Sequence, residues 1–93
     1  MLVMIKSAPD TTDGTVGLAL AKEGGADLLL LQNGVYFAQK GRLGDYPGSV
    51  FVLDDDKRLR GLKDTELNEH VRIVDYDEIT DLVTGGDKVV GMF

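Results

Sequence analysis

Polar side chains follow two apolar runs of this sequence, at the point where each run ends. The aspartates at 54–56 follow Val50–Leu53, and residues 32–34 follow the leucines at 28–31. If both runs are parallel strands, these side chains lie at the sheet edge where ligands bind in open α/β folds. Carboxylates there could hold Mg²⁺, and a helix start there could hold an anion. The candidate ligand-loop residues are Gln32, Asn33, Gly34 and Asp54.

These residues also have a structural explanation, which we favour. Aspartate is common in the first turn of helices, where it caps backbone N–H groups. A phospho-acceptor site of the receiver type also needs an acidic pair directly after the first strand, where Lys6 and Ser7 stand instead. The glycines at 14 and 17 lack the spacing of either nucleotide-binding fingerprint. His70, the only histidine, has no partner at a catalytic spacing. We therefore predict no catalytic residue, no metal site and no cofactor.

Composition narrows the function classes further. The 93 residues contain no cysteine, which excludes disulfides, thiolate metal sites and a cysteine nucleophile within them. The net charge is −6 and the pI is about 4.5, which disfavours binding to nucleic acid or to an anionic membrane surface. The first apolar run, residues 2–5, is too short for a signal peptide or a spanning helix. We expect one domain over residues 1–93, located in the cytoplasm.

Apolar runs and helical spacings alternate along the chain. Strands are predicted at residues 2–6, 27–32, 49–53, 71–74 and 88–93, and helices between them at about 12–23, 34–40, 54–60 and 76–84. This order predicts an α/β fold with a mostly parallel sheet and helices on both sides.

Apolar spacing also assigns helix faces. In the first helix, Val16, Ala19 and Leu20 share one face, a spacing typical of a face that packs on a core. Ile79, Leu82 and Val83 mark such a face in the last helix. That helix begins with a capping-box spacing at 75–78 and is predicted to end at the glycines 85 and 86.

A possible interaction surface lies at the start of the second helix. Three large apolar residues are consecutive there, and each helical step turns about 100°, so they cannot all face one core. At least one should point outward or toward a partner, although a helix buried more than usual explains the pattern equally well. Aromatic residues and methionine are enriched in interface cores. The candidate interface residues are Val35, Tyr36, Phe37, Met92 and Phe93.

Three blocks of the sequence resemble the DsrH/TusB family of sulfur-relay proteins. They are LLLLQNGV at 28–35, LDDDKRLRGL at 53–62 and VDYDEITDLV at 74–83, and they occur in this order. The resemblance implies a DsrE/DsrF/DsrH-like fold, a three-layer α/β/α sandwich around a five-stranded parallel sheet. It also implies a complex with sister subunits of the same fold that pass sulfur as protein persulfides. The sulfur serves 2-thiouridine synthesis at the tRNA wobble position or sulfur oxidation.

The absence of a thiol distinguishes this sequence from subunits that carry sulfur. A persulfide is held on a cysteine, so no residue here can hold one. The resemblance therefore implies a subunit without catalytic activity, partnered by DsrE- and DsrF-type sister subunits. Two alternatives stay open. One is a stand-alone homo-oligomer that binds a small ligand or anion or acts as a regulatory module. The other is a magnesium-dependent phosphotransfer enzyme that uses the aspartates at 54–56.

Overall fold

The apolar runs form short parallel strands at the predicted places. The computed structural model describes residues 1–85 and 88–93. Within them the strands are β1 Leu2–Ile5, β2 Asp27–Leu30, β3 Val50–Leu53, β4 Val71–Val74 and β5 Val89–Met92. All pairings are parallel, in the order β4-β3-β2-β1-β5. The chain thus crosses the sheet in one direction from β1 to β4 and then returns to place β5 beside β1.

Helices connect the strands. They are α1 Thr12–Gly24, α2 Asp54–Leu59 and α3 Tyr76–Thr84, with 3₁₀ helices at Gln32–Ala38 and Asp64–Glu66. The hydrophobic clusters place α1 and the 3₁₀ helix Gln32–Ala38 on one side of the sheet and α3 on the other. The predicted three-layer α/β class is therefore confirmed. Among the described helices, none is long and apolar enough to cross a membrane.

Capping groups determine where the two longer helices begin and end. The Thr11 side chain accepts a hydrogen bond from the Gly14 N–H at 3.0 Å, and the C-cap of α1 is Gly25, whose φ of 64° favours glycine. At α3, Asp75 and Glu78 form the predicted capping box, with bonds of 2.8 and 3.3 Å. Gly85 follows the last residue of α3, and Gly86, also predicted to end this helix, lies outside the described residues.

The central strands β1, β2 and β3 are buried on both faces because alternate side chains meet different layers, whereas the edge strands β4 and β5 are mostly half-buried or exposed. Toward α1 and the 3₁₀ helix Gln32–Ala38, the core includes Val3, Ile5, Leu28, Leu30, Val50 and Val52. Toward α3, a smaller cluster contains Leu2, Leu29, Phe51 and Val74, with Ile79 and Leu82 packed against it. The predicted inner face of α3 is therefore confirmed for Ile79 and Leu82, whereas Val83 remains 40% exposed.

The inner face of α1 differs from the prediction. Val16 and Leu20 point outward, with 48% and 41% of their surface exposed, and the helix instead buries Gly14, Gly17 and Ala21. The cause is the short distance between α1 and the C-terminal residue Phe93 of the same chain. A Cβ atom on Gly17 would lie 2.9 Å from the Cβ of Phe93, so a larger side chain does not fit there.

The second helix also differs from the prediction. It is a 3₁₀ helix that ends at Ala38, and it buries Val35 and Phe37, which are 0% and 4% exposed. Leucines of the following loops, Leu43, Leu62 and Leu67, belong to the same core cluster, so the segment is packed on more than one side. The prediction that Val35 and Phe37 form an interface is therefore wrong, since both side chains are used by the protein's own core.

The remaining interface candidates have different environments. Tyr36 and Phe93 are partly buried against the larger core cluster. The Phe93 N–H donates to the Met4 carbonyl at 2.8 Å, and the Ser7 hydroxyl donates to the Phe93 carbonyl. Met92 is 59% exposed. Contact of Tyr36, Met92 or Phe93 with a partner stays a prediction.

Candidate functional site

The 3₁₀ helix Gln32–Ala38 lies directly against the carboxyl end of β1. The Leu31 N–H donates to the Ile5 carbonyl at 2.9 Å, and the Gly34 N–H donates to the Leu31 carbonyl at 2.8 Å. A Cβ atom on Gly34 would lie 2.0 Å from the Ile5 carbonyl oxygen. This close approach requires glycine at position 34, because the obstructing atoms belong to the backbone.

Gln32 begins this helix in a strained conformation. Its φ is 48°, in the left-handed region that costs a residue other than glycine about 1 kcal/mol or more. Its backbone N–H donates to Asp56 Oδ2 at 2.6 Å. The Asp56 carboxylate, which lies in the first turn of α2 directly after β3, thus helps to hold the turn that follows β2.

Arg60 completes a polar network between the ends of β2 and β3. Its Nε donates to Asn33 Oδ1 at 3.0 Å and its Nη1 donates to the Asp56 carbonyl at 3.2 Å. The same Nη1 lies 3.8 Å from Asp56 Oδ1. The side chains of Arg60 and Asp56 are 21% and 14% exposed, so the network is only partly open to solvent. We call Gln32, Asn33, Asp56 and Arg60 the strand-end cluster.

The predicted ligand-loop residues divide between this cluster and other roles. Gln32 and Asn33 belong to the cluster, and Gly34 provides the close contact beneath it. Asp54 does not reach it: the Asp54 carboxylate lies 3.6 Å from Lys57 Nζ and 3.0 Å from Arg58 Nε, within α2. A ligand at the remaining positions stays a prediction.

Sequence reasoning missed Arg60, and it considered Asp56 only among the aspartates at 54–56 that could hold Mg²⁺. Their i, i+4 spacing in the block at 53–62 is the signal that could have indicated an ion pair. Asn33, which accepts a hydrogen bond from Arg60, lies 27 positions away in the sequence. No local sequence pattern predicts a contact at that separation.

The acidic triplet at 54–56 is paired with nearby groups. Asp54 and Asp55 both contact Arg58, at 3.0 and 2.9 Å, while Asp56 contacts Gln32 and Arg60. Within residues 1–85 and 88–93, no group of three or more histidine, cysteine or acidic side chains is arranged to hold a metal ion. The expected capping role is not observed, because the N-cap of α2 is Leu53 and no side chain there accepts a hydrogen bond from the first turn. The aspartates lie in that first turn and pair instead with neighbouring bases and with the Gln32 N–H.

Two further candidates have the structural roles favoured by the sequence. The glycines at the start of α1 allow close packing: a Cβ atom on Gly14 would lie 2.2 Å from the Ala8 carbonyl oxygen. The side chain of His70 is 88% exposed and lies 3.9 Å from Glu69, as expected for a surface histidine.

A cleft of about 390 Å³ lies on the other side of the sheet, between α3 and β4. Phe51, Val74 and Leu82 provide its apolar lining. The guanidinium carbon of Arg72 stands 5.8 Å from the centre of the Phe51 ring, within the range of a cation–π contact. None of the site residues predicted from the sequence lines this cleft.

Tyr46 is a titratable group whose pKa is changed by the fold. Its hydroxyl donates to the Ala26 carbonyl, close to the start of β2. Burial raises the pKa of Tyr46, and the nearby Asp27 carboxylate raises this pKa further. The hydroxyl is therefore neutral and serves to anchor the loop before β3.

The fold and the strand-end cluster define a small α/β protein with a parallel sheet between two helical layers. The chain belongs to the DsrH-like family: the family model described as "DsrH like protein" matches residues 6–89. The resemblance found in the sequence is thereby confirmed, and the protein is related to sulfur relay.

One solved structure supports the same conclusion. The solution NMR structure of protein Tm0979 from Thermotoga maritima is 26% identical in sequence and covers 98% of this chain and 100% of its own. The TM-score is 0.69, so the two proteins share the fold. None of the curated proteins matches this chain.

Proposed function

We propose that this protein is a non-catalytic subunit of a cytoplasmic sulfur-relay complex formed with DsrE- and DsrF-type sister subunits. The observation that carries the proposal is the DsrH-like match over residues 6–89 in a sequence that contains no cysteine. Because persulfide sulfur is held on a thiolate, the sulfur atom travels on a sister subunit. It is passed on toward tRNA wobble 2-thiouridine or toward sulfur oxidation, without direct binding of nucleic acid by this acidic chain.

The strand-end cluster is consistent with a structural role for this subunit within a complex. The Asp56 carboxylate accepts a hydrogen bond from the Gln32 N–H, and Arg60 connects the Asn33 side chain to the Asp56 carbonyl of α2 across the ends of two strands. Such a network holds the loops at this edge of the sheet in one conformation. A fixed loop edge is suited to contact with another protein, because less conformational entropy is lost on binding.

Reconstitution with the sister subunits tests this function. The purified protein is mixed with DsrE- and DsrF-type proteins from the same organism, and the mass is measured by light scattering after gel filtration. We expect a defined complex that contains this chain. When the complex is loaded with radiolabelled sulfur, we expect the label on a cysteine of a sister subunit and none on this chain. Absence of a complex, or sulfur transfer by this chain alone, contradicts the proposal.

A homo-oligomeric anion-binding module is the second candidate. The observation that favours it is Arg60, a cation 21% exposed at the sheet edge where ligands bind in this fold class. Melting temperatures measured with phosphate and with nucleotides test this candidate. A ligand at 100 times its Kd should stabilise the protein by about 2.7 kcal/mol, and Arg60→Ala should abolish that gain. An unchanged melting temperature at millimolar ligand would exclude it.

A further inference from the structure

The pair Asn33–Gly34 is chemically labile in a flexible chain. The Gly34 backbone nitrogen, once it has lost its proton, can attack the Asn33 side-chain carbon Cγ, and glycine has no side chain to obstruct the attack. A bond forms between the two atoms, the bond from Cγ to the side-chain nitrogen breaks, and ammonia leaves with the proton that Gly34 lost. Water then opens the resulting cyclic imide at either carbonyl, which leaves aspartate or isoaspartate at position 33.

The attacking nitrogen is occupied in the folded protein. The Gly34 N–H donates to the Leu31 carbonyl at 2.8 Å, as part of the 3₁₀ helix Gln32–Ala38. Gly34 is buried, and a Cβ atom there would lie 2.0 Å from the Ile5 carbonyl oxygen, so the backbone has little space to move. The proton is therefore shielded from base in the solvent, and attack requires this part of the chain to open.

The side chain that would be attacked is held by the strand-end cluster. Asn33 Oδ1 accepts from Arg60 Nε at 3.0 Å, and Arg60 Nη1 donates to the Asp56 carbonyl at 3.2 Å. The Asp56 carboxylate accepts from the Gln32 N–H at 2.6 Å. Both residues before Gly34 are thus connected to α2. A guanidinium on Oδ1 also polarises the amide carbonyl, which by itself favours attack, so the protection given by this cluster is geometric.

We propose that Asn33 is a deamidation site that the strand-end cluster keeps unreactive in the folded protein. When the cluster and the 3₁₀ helix open, the Gly34 nitrogen becomes accessible and the Asn33 side chain is free to turn toward it. The reaction rate therefore follows the population of the open state. The cluster thus has a protective role in addition to holding the loops at this edge of the sheet.

The two products have different consequences for the fold. Aspartate at position 33 keeps the length of the backbone and places a carboxylate beside the Arg60 guanidinium. Isoaspartate routes the chain through the former side-chain carbon and lengthens the backbone by one atom. The extra atom stands next to Gly34, which has no spare room against the Ile5 carbonyl. We therefore expect the fold to accept aspartate and to reject isoaspartate.

Comparison of the folded and unfolded wild-type protein tests the site without any substitution. One sample is incubated in mildly alkaline buffer and the other in the same buffer with guanidinium chloride, and peptide mass spectrometry follows each asparagine. We expect Asn33 to deamidate at least about a hundredfold faster in the unfolded chain. Asn68, which is followed by glutamate, is the internal control and should react slowly in both samples. Equal rates at Asn33 in the two samples would overturn the inference.

A variant of the cluster separates local protection from overall stability. Arg60→Ala removes the hydrogen bond to Asn33, whereas Leu2→Val lowers the stability at the amino end of β1, where Leu2 is fully buried on the α3 side. Melting temperatures show how far each variant is destabilised. We expect Asn33 to deamidate about fivefold faster in folded Arg60→Ala than in the wild type, and less than about twofold faster in Leu2→Val.

Three results would overturn the protective role of the cluster. An unchanged rate in Arg60→Ala would mean that the cluster does not restrain Asn33. Equal acceleration in the two variants would mean that deamidation proceeds only through global unfolding. A slower reaction in Arg60→Ala would mean that the guanidinium promotes the attack.

The products provide a further test, which does not depend on the folding of Arg60→Ala. We expect Asn33→Asp to melt within a few degrees of the wild type. The isoaspartate form, separated chromatographically from the incubated unfolded chain, should not regain the native circular dichroism spectrum when the denaturant is removed. Recovery of that spectrum would contradict the lack of room at Gly34, on which the protection depends.

Discussion

Two apolar segments of this protein have opposite environments. The 3₁₀ helix Gln32–Ala38 buries Val35 and Phe37 almost completely, whereas α1 exposes Val16 and Leu20. The spacing of residues in the sequence predicts an inner face for Val16 and Leu20 of α1, and it leaves open whether the three consecutive apolar residues form an interface or a helix buried more than usual. The difference shows that apolar spacing locates residues that can be buried. Which of them are buried depends on how closely each segment approaches the sheet.

The segments approach the sheet in different ways. On α1, glycines at the contact bring the helix so close that Val16 and Leu20 are left on the outside, while Leu18 packs against the core. On the 3₁₀ helix, one glycine at position 34 brings the segment against β1, and the large side chains that follow fill the space beneath the loops. Small residues therefore form the contact in both places, but only the second segment is enclosed from several sides.

The largest expected effect is at Phe37. Truncation of a buried phenylalanine removes apolar contacts and leaves a cavity, so Phe37→Ala should lower the free energy of unfolding by about 3–5 kcal/mol. Chemical denaturation followed by circular dichroism measures this change. A loss below about 1 kcal/mol, accompanied by weaker association with partners, would return Phe37 to the class of interface residues.

Gly34→Ala should have the next largest effect. The added methyl group would overlap the Ile5 carbonyl, which cannot move without disturbing the sheet, so we expect a loss of about 3 kcal/mol in the free energy of unfolding. Gly24→Ala in the last turn of α1 is the control, because its new methyl group meets only the flexible end of Met1. The control should be neutral or stabilising by about 0.5 kcal/mol. Equal effects at the two glycines would contradict the close contact at position 34.

Arg60→Ala should have a moderate effect on the 3₁₀ helix. It removes the hydrogen bond to Asn33 and the link to Asp56, and partial exposure limits the loss in unfolding free energy to about 1 kcal/mol. Arg58→Ala is the matched control, since Arg58 is 66% exposed and contacts acids of its own helix. Its loss should stay below about 0.5 kcal/mol. Hydrogen exchange of the Gln32 amide, measured by NMR, should accelerate in the first variant and not in the control.

The smallest effect is expected at Leu20 in the isolated protein. Leu20→Ala removes a side chain that is 41% exposed, so the free energy of unfolding should change by less than about 0.5 kcal/mol. The melting temperature of the protein alone measures this change. A loss of 2 kcal/mol or more would mean that Leu20 already packs inside the folded chain, and the contrast between the two segments would disappear.

The fold was largely predictable from local pattern. Short β-rich runs such as Val50–Leu53 and Val71–Val74, alternating with helical spacings, predicted the parallel α/β sheet, and the caps at Thr11 and Asp75 behave as their residue types indicate. The type of the second helix was not predicted, because a 3₁₀ helix has no distinct apolar spacing at this length. Arg60 of the strand-end cluster was missed because its contact with Asn33 joins residues that lie far apart in the sequence and that only the fold brings together.

The sequence by itself determined the order of strands and helices, the acidic character and the absence of any thiol that could carry sulfur, because these follow from residue types and local spacing. Only the tertiary structure decided which apolar side chains are enclosed and which polar ones meet at the strand ends. The physical reason is that burial depends on distances between segments far apart in the chain, and those distances arise when glycines such as Gly17 and Gly34 let the layers come together.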